Sequence, residues 1–147
     1  MTNQLRLPFL LGVAGATPLN AGATIIRFGP ANFAQSPMHA FVAYVAVILS
    51  FLGGIQWGMG VAISGSAPKS AQPLFLLPVV PSLLAWAMLF VVTTGARIII
   101  AIFLFACVWL TDAFLHPQDL IPKWIFRLRR IVSPIVIGSL AAALIAA

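Results

Sequence analysis

Few side chains in this chain could take part in chemistry: 147 residues hold two acids, two histidines and one cysteine. Asp112 is the most informative of them. It falls one turn before the end of an apolar run, where a carboxylate is costly unless paired or protonated. Arg127, Arg129 and Arg130 return to the same end of the molecule, so an ion pair with Asp112 is expected to lock the fourth apolar segment to the fifth. A proton relay would need a second acid inside the membrane, and Asp119 falls in a connection. His39 opens one apolar run and His116 closes another on the opposite side, about 30 Å away across a hydrocarbon core. They therefore do not hold a haem or a zinc between them, although either could ligate a group shared with another subunit. Cys107 alone makes neither an intrachain disulfide nor a thiolate cluster.

No Walker loop, nucleotide-binding glycine triad, His-Glu-x-x-His sequence or nucleophile–base pair occurs. The expected protein is not an enzyme and carries no cofactor of its own. Ser64-Gly65-Ser66 reads as a loop rather than a phosphate cradle.

The elements that must position these groups follow from composition. The chain is 62% hydrophobic and 7% charged, with a mean hydropathy of +1.11. That leaves too little polar surface for a soluble domain, and the apolar excess has to face lipid. Five apolar segments stand out: Leu7–Ile26, Met38–Ala62, Pro73–Thr94, Ile98–Leu115 and Ile131–Ala147. A helical span takes about 20 residues, so one all-α membrane domain of five transmembrane helices accounts for the chain. Open strand edges do not survive in hydrocarbon. The last segment is short and is expected to borrow a turn from Lys123–Arg130 or to tilt little. Arg6, the apolar run and Ala14-Gly15-Ala16 imitate a signal peptide, but the run continues to Ile26, and an uncleaved span is expected.

The net charge of +6 could suit nucleic acid, yet the cations lie at the ends of apolar runs, and no nucleic-acid role is expected. Arg6, Lys69, Lys123, Arg127, Arg129 and Arg130 fall on one face of a five-span arrangement, against Arg27 and Arg97 on the other. The excess predicts a cytoplasmic N-terminus and an external C-terminus.

Helices associate in lipid through close approach at small residues. Ser50, Gly54, Gly58 and Ala62 form such a row on the second span, and Gly12, Ala16, Asn20 and Thr24 form one on the first. The two spans are expected to pack through these rows, with Asn20 finding a hydrogen-bond partner. Pro18 in the first span and Pro78 and Pro81 in the third predict kinks. The alternative function is a small carrier or pore for a neutral or hydrophobic molecule such as a lipid, quinone or pigment; built on the kinked third span, it would show a cavity near Pro78, Pro81 and Asn20 with Asp112 at its cytoplasmic mouth. In Lys123-Trp124-Ile125-Phe126-Arg127-Leu128-Arg129-Arg130, cations alternate with aromatic and aliphatic residues. Lys123, Trp124, Arg127 and Arg130 are expected to anchor at headgroup level and to attract anionic lipid. Gln56-Trp57 lies where it could meet this segment.

Three stretches resemble a known family: Leu11-Gly12-Val13-Ala14-Gly15-Ala16-Thr17-Pro18, then Tyr44-Val45-Ala46-Val47-Ile48-Leu49-Ser50-Phe51-Leu52-Gly53-Gly54-Ile55-Gln56-Trp57-Gly58, then Pro122-Lys123-Trp124 with Leu128-Arg129. They are similar to the domain-of-unknown-function family DUF3429 of small bacterial inner-membrane proteins, whose relatives include the mitochondrial transmembrane protein 69. Members tend to have a more basic residue where this chain has Gln56, and an aromatic one where it has Ile125. The resemblance implies a five-helix protein of the bacterial inner membrane and leaves the activity open. Occurrence in bacteria and mitochondria suits a partner of the respiratory machinery. The expected function is an accessory or assembly subunit of a respiratory or photosynthetic complex, with other integral membrane subunits as partners.

Overall fold

A computed structural model describes residues 6–30, 35–115 and 120–146. His116 and Asp119 lie outside the described residues, as does the C-terminal Ala147. Among the described residues, seven α-helices build five spans: α1 (Arg6–Ala14), α2 (Thr17–Phe28), α3 (Gln35–Ile63), α4 (Pro68–Leu76), α5 (Val79–Ala87), α6 (Thr94–Leu115) and α7 (Lys123–Ala146). One 3₁₀ turn, Met88–Phe90, continues α5. The five spans are long and apolar enough to cross a membrane.

Proline breaks two of them. Pro18 enters the first turn of α2, where its missing N–H costs nothing, and the chain bends between Ala14 and Thr17. The Tyr44 hydroxyl donates to the Gly15 carbonyl at this bend, 2.9 Å away, supplying a donor that a broken helix lacks. Pro78 ends α4 and starts α5 in the same way. There the indole N–H of Trp57 donates to the Phe75 carbonyl at 3.1 Å, and the two rings meet edge to face. The third span therefore begins five residues earlier than its hydropathy suggests, because α4 carries the polar stretch before Pro73.

Packing places α3 against α2, α4, α5 and α6, and α7 against α1, α2 and α6. The buried positions follow helical periodicity. On α6 they are Ile98, Ala101, Leu104, Phe105, Val108, Asp112 and Leu115, and on α7 Ile125, Arg129, Ser133, Val136, Ser139, Leu140 and Ala143. Each stripe of three- and four-residue steps meets the bundle interior. A large apolar core joins Leu19, Val45, Leu49, Met88, Leu104 and Leu140 with their neighbours. A smaller one joins Leu74, Leu115, Ile121 and Ile125 where α4, α6 and the start of α7 converge.

The small-residue rows pack otherwise than expected. Ser50, Gly54, Gly58 and Ala62 face outward, and a side chain added at Gly54 or Gly58 would meet nothing within 4 Å. The contact glycines of α3 are Gly53, against Ser82 and Pro78, and Gly60, against Leu74 and Phe75. Seven residues are nearly two full turns, so Gly53 and Gly60 share a face as well as any four-residue row does. On the first span the row turns to the fifth span, not the second. Leu128 of α7 presses on Gly12, and Ser139 of α7 bonds Asn20. Ala16 is buried in the main core. It is Gly22 that admits a ring of α3, that of Phe41.

Candidate functional site

Between the two apolar cores lies a polar layer of three side chains from three spans. Along α6, Asp112 stands between Val108 and Leu115; along α7, Arg129 stands between Ile125 and Val132; along α3, Gln56 follows Leu52 and precedes Met59. Asp112 is 0% exposed, Gln56 1% and Arg129 5%. Position 112 follows Val108 by four residues and position 129 follows Ile125 by four, so each polar residue occupies a place on its helix's buried stripe.

Both carboxylate oxygens are engaged. Gln56 Nε2 donates to Asp112 Oδ1 at 2.6 Å, and one guanidinium nitrogen of Arg129 donates to Asp112 Oδ2 in an ion pair. The second terminal nitrogen of Arg129 donates to the Leu52 carbonyl at 3.1 Å. A buried charge is tolerated when paired and hydrogen-bonded, and here a guanidinium and an amide supply both requirements. The arrangement ties α3, α6 and α7 at one level.

Among the three arginines that the sequence offers to Asp112, the fold selects Arg129. Arg127, Arg130 and Lys123 are exposed, and Trp124 is half-buried at the edge of the smaller core. Arg129 alone belongs to the buried stripe of α7. Gln56 does meet the segment after Lys123, through Arg129 on Asp112. Its bond to Asp112 in the buried layer is not foreseen from the sequence; spacing from the core residues Leu49 and Leu52 is the signal that could have placed it there.

A second polar contact lies deeper between α2 and α7. Ser139 Oγ is 2.9 Å from Asn20 Oδ1 and 2.9 Å from the Ile135 carbonyl, so its single proton serves one at a time. Asn20 Nδ2 donates to the Ala16 carbonyl at 3.0 Å. At the other end of the bundle, Arg97 Nε donates to the Val91 carbonyl at 2.6 Å and fastens the connection into α6. His39 is exposed at the start of α3. Among the described residues, no three His, Cys, Asp or Glu side chains gather as a metal site.

Only part of the space that a carrier on the kinked third span would need lies where that reading puts it, at Pro78 and without Pro81, Asn20 or Asp112 in its lining. Beside Pro78 there is a hollow of about 190 Å³, lined in part by Gly53, Trp57 and Ser82, and Asp112 is sealed in its ion pair. A larger cavity, about 530 Å³, lies instead between α1, α3 and α7.

Comparison with known proteins agrees with this architecture. The model of the family described as Protein of unknown function (DUF3429) matches residues 5–145. Transmembrane protein 69 of Xenopus tropicalis is 33% identical over 137 residues, which is 92% of this chain and 52% of that protein. The chain thus spans about half the length of this relative. No solved structure matches it. With nearly its whole length matched, the chain, whose five apolar helices are long enough to cross a membrane, belongs to the DUF3429 family.

Proposed function

We propose that this protein is a non-catalytic, multi-pass protein of a bacterial inner membrane, acting as an accessory or assembly subunit of an energy-transducing complex. One observation carries the reading: the acid buried inside the bundle has both oxygens committed to neighbouring helices. A carboxylate that relays protons or binds cargo has to be exposed to a partner for part of its cycle, and this one is built into the frame. What the chain offers outward is packing surface. The row Ser50, Gly54, Gly58 and Ala62 faces away from its own bundle, and such rows let a neighbouring helix approach closely. The excess of Lys and Arg at Arg6, Lys69, Lys123, Arg127, Arg129 and Arg130 favours a cytoplasmic N-terminus, and the exposed ones, all but Arg129, favour contact with anionic headgroups on that side.

The test is affinity purification of the tagged protein from native membranes in mild detergent, followed by mass spectrometry and an absorption spectrum. Stoichiometric recovery of respiratory or photosynthetic subunits is the expected result. A colourless protein recovered alone or only with itself would overturn the subunit reading and make transport in liposomes the next assay.

A further inference from the structure

The cavity between α1, α3 and α7 has a shape that restricts what fills it. Its α7 wall runs from Trp124 to Val136, which at 1.5 Å per residue makes it about 18 Å long. Its volume is about 530 Å³. The length of the slot and its apolar lining suit one extended hydrocarbon chain laid along α7. Apart from Trp124, Arg129 and Ser133, the lining side chains are hydrocarbon, and Arg129 is spent on Asp112 and Leu52. Leu11 on α1 and Phe51 on α3 both line the slot and are each 62% exposed, so it opens sideways to the lipid.

Charge at one end of the slot points to the kind of lipid. Leu128 presses on Gly12, which sets the register of the parallel helices α1 and α7. Arg6 precedes Gly12 by six residues and Lys123 precedes Leu128 by five, so the two cations stand at nearly one level, at the Trp124 end. Arg127 and Arg130 follow within two turns and are exposed. Against these four cations the chain sets two acids; Asp112 is already paired with Arg129, and only Asp119 is left for this end. The cations flank the slot rather than line it, so they act on a headgroup as a positive field at that level.

The geometry points to a resident-lipid site: one acyl chain of an anionic phospholipid lies in the slot between α1, α3 and α7, with its headgroup at the Trp124 end. The site does not depend on whether the protein has a protein partner. It is tested with phosphatidylglycerol carrying a diazirine midway along one acyl chain, added to the full chain in phosphatidylcholine vesicles. Photolabelling is expected to concentrate on the peptides around Gly12 and Leu128–Val136, at least fivefold above the exposed faces of α5 and α6. Unlabelled phosphatidylglycerol is expected to compete at least fivefold better than phosphatidylcholine with the same chains. Val132→Trp, which fills the slot, should abolish that labelling. Because a large residue in the wall can cost folding, a second variant leaves the wall intact: Arg6→Gln with Lys123→Gln and Arg127→Gln. It should keep the labelled positions and lose the preference for phosphatidylglycerol. Labelling spread evenly over the outer faces would overturn the site. So would equal competition by phosphatidylcholine, better competition by a neutral isoprenoid lipid, a preference that survives loss of the three cations, or a slot that labels only after membrane partners are stripped away.

Discussion

Arg129 and Arg130 are neighbours in sequence, yet one is 5% exposed beside Asp112 and the other lies on the outer face of the same helix. A helix turns about 100° per residue, so adjacent arginines take different roles, and the buried stripe decides which one pairs. Arg129→Met leaves the Asp112 carboxylate buried without its counter-charge. Removal of one partner of such a pair costs about 3–5 kcal/mol. Thermal unfolding in mild detergent should show a large destabilisation, and Asp112→Leu combined with Arg129→Met should recover most of it. If the double variant is as unstable as the single one, the pair is more than a buried ion pair. Arg130→Met should leave the unfolding transition unchanged. Gln56→Leu removes a hydrogen bond to a charged group, which is worth about 1.5–3 kcal/mol, so its effect should fall below that of Arg129→Met.

Glycine has two uses along α3, and they separate in a substitution series. A Cβ at Gly53 would lie 2.7 Å from Ser82 Oγ and 3.0 Å from the Pro78 carbonyl. Gly53→Leu should therefore push α5 away, at a cost of the order of 1–3 kcal/mol for overpacking. A Cβ at Gly54 or Gly58 would meet nothing within 4 Å, so Gly54→Leu and Gly58→Leu should leave the isolated protein as stable as before. Under the subunit reading the same pair should weaken recovery of partner subunits, which quantitative mass spectrometry of the purified complex measures. The kinks show the same economy: where proline breaks a span, a side chain of α3 supplies the donor, Tyr44 at the first span and Trp57 at the third. Tyr44→Phe deletes the bond to Gly15 and should cost about 0.5–1.5 kcal/mol in the same unfolding assay.

For the whole molecule, the distribution of Lys and Arg makes a prediction about direction in the membrane. In a Cys107→Ser background, Ser70→Cys reports on the exposed first turn of α4 and Val92→Cys on the connection before α6, where Val92 is 91% exposed. A membrane-impermeant maleimide added to intact cells should label Val92→Cys and spare Ser70→Cys. The reverse pattern would invert the proposed orientation and place the cationic start of α7 outside.

Number and location of the spans are legible from the sequence because hydrocarbon imposes a length on every apolar run and forbids unpaired backbone. The breaks at Pro18 and Pro78 are legible too, since proline's missing N–H acts within one turn of where it stands. That Asp112 needs an arginine follows from the cost of a lone buried charge. Which arginine, and the amide of Gln56 on the other oxygen, depends on the rotation of α3, α6 and α7 about their axes, which three-dimensional packing sets. The same holds for the glycine rows. Steps of four on Ser50, Gly54, Gly58 and Ala62 and a step of seven on Gly53 and Gly60 are equally regular in sequence. Only the approach of the bent third span decides which face is inside, and only the register of α1 against α7 opens the slot beside them.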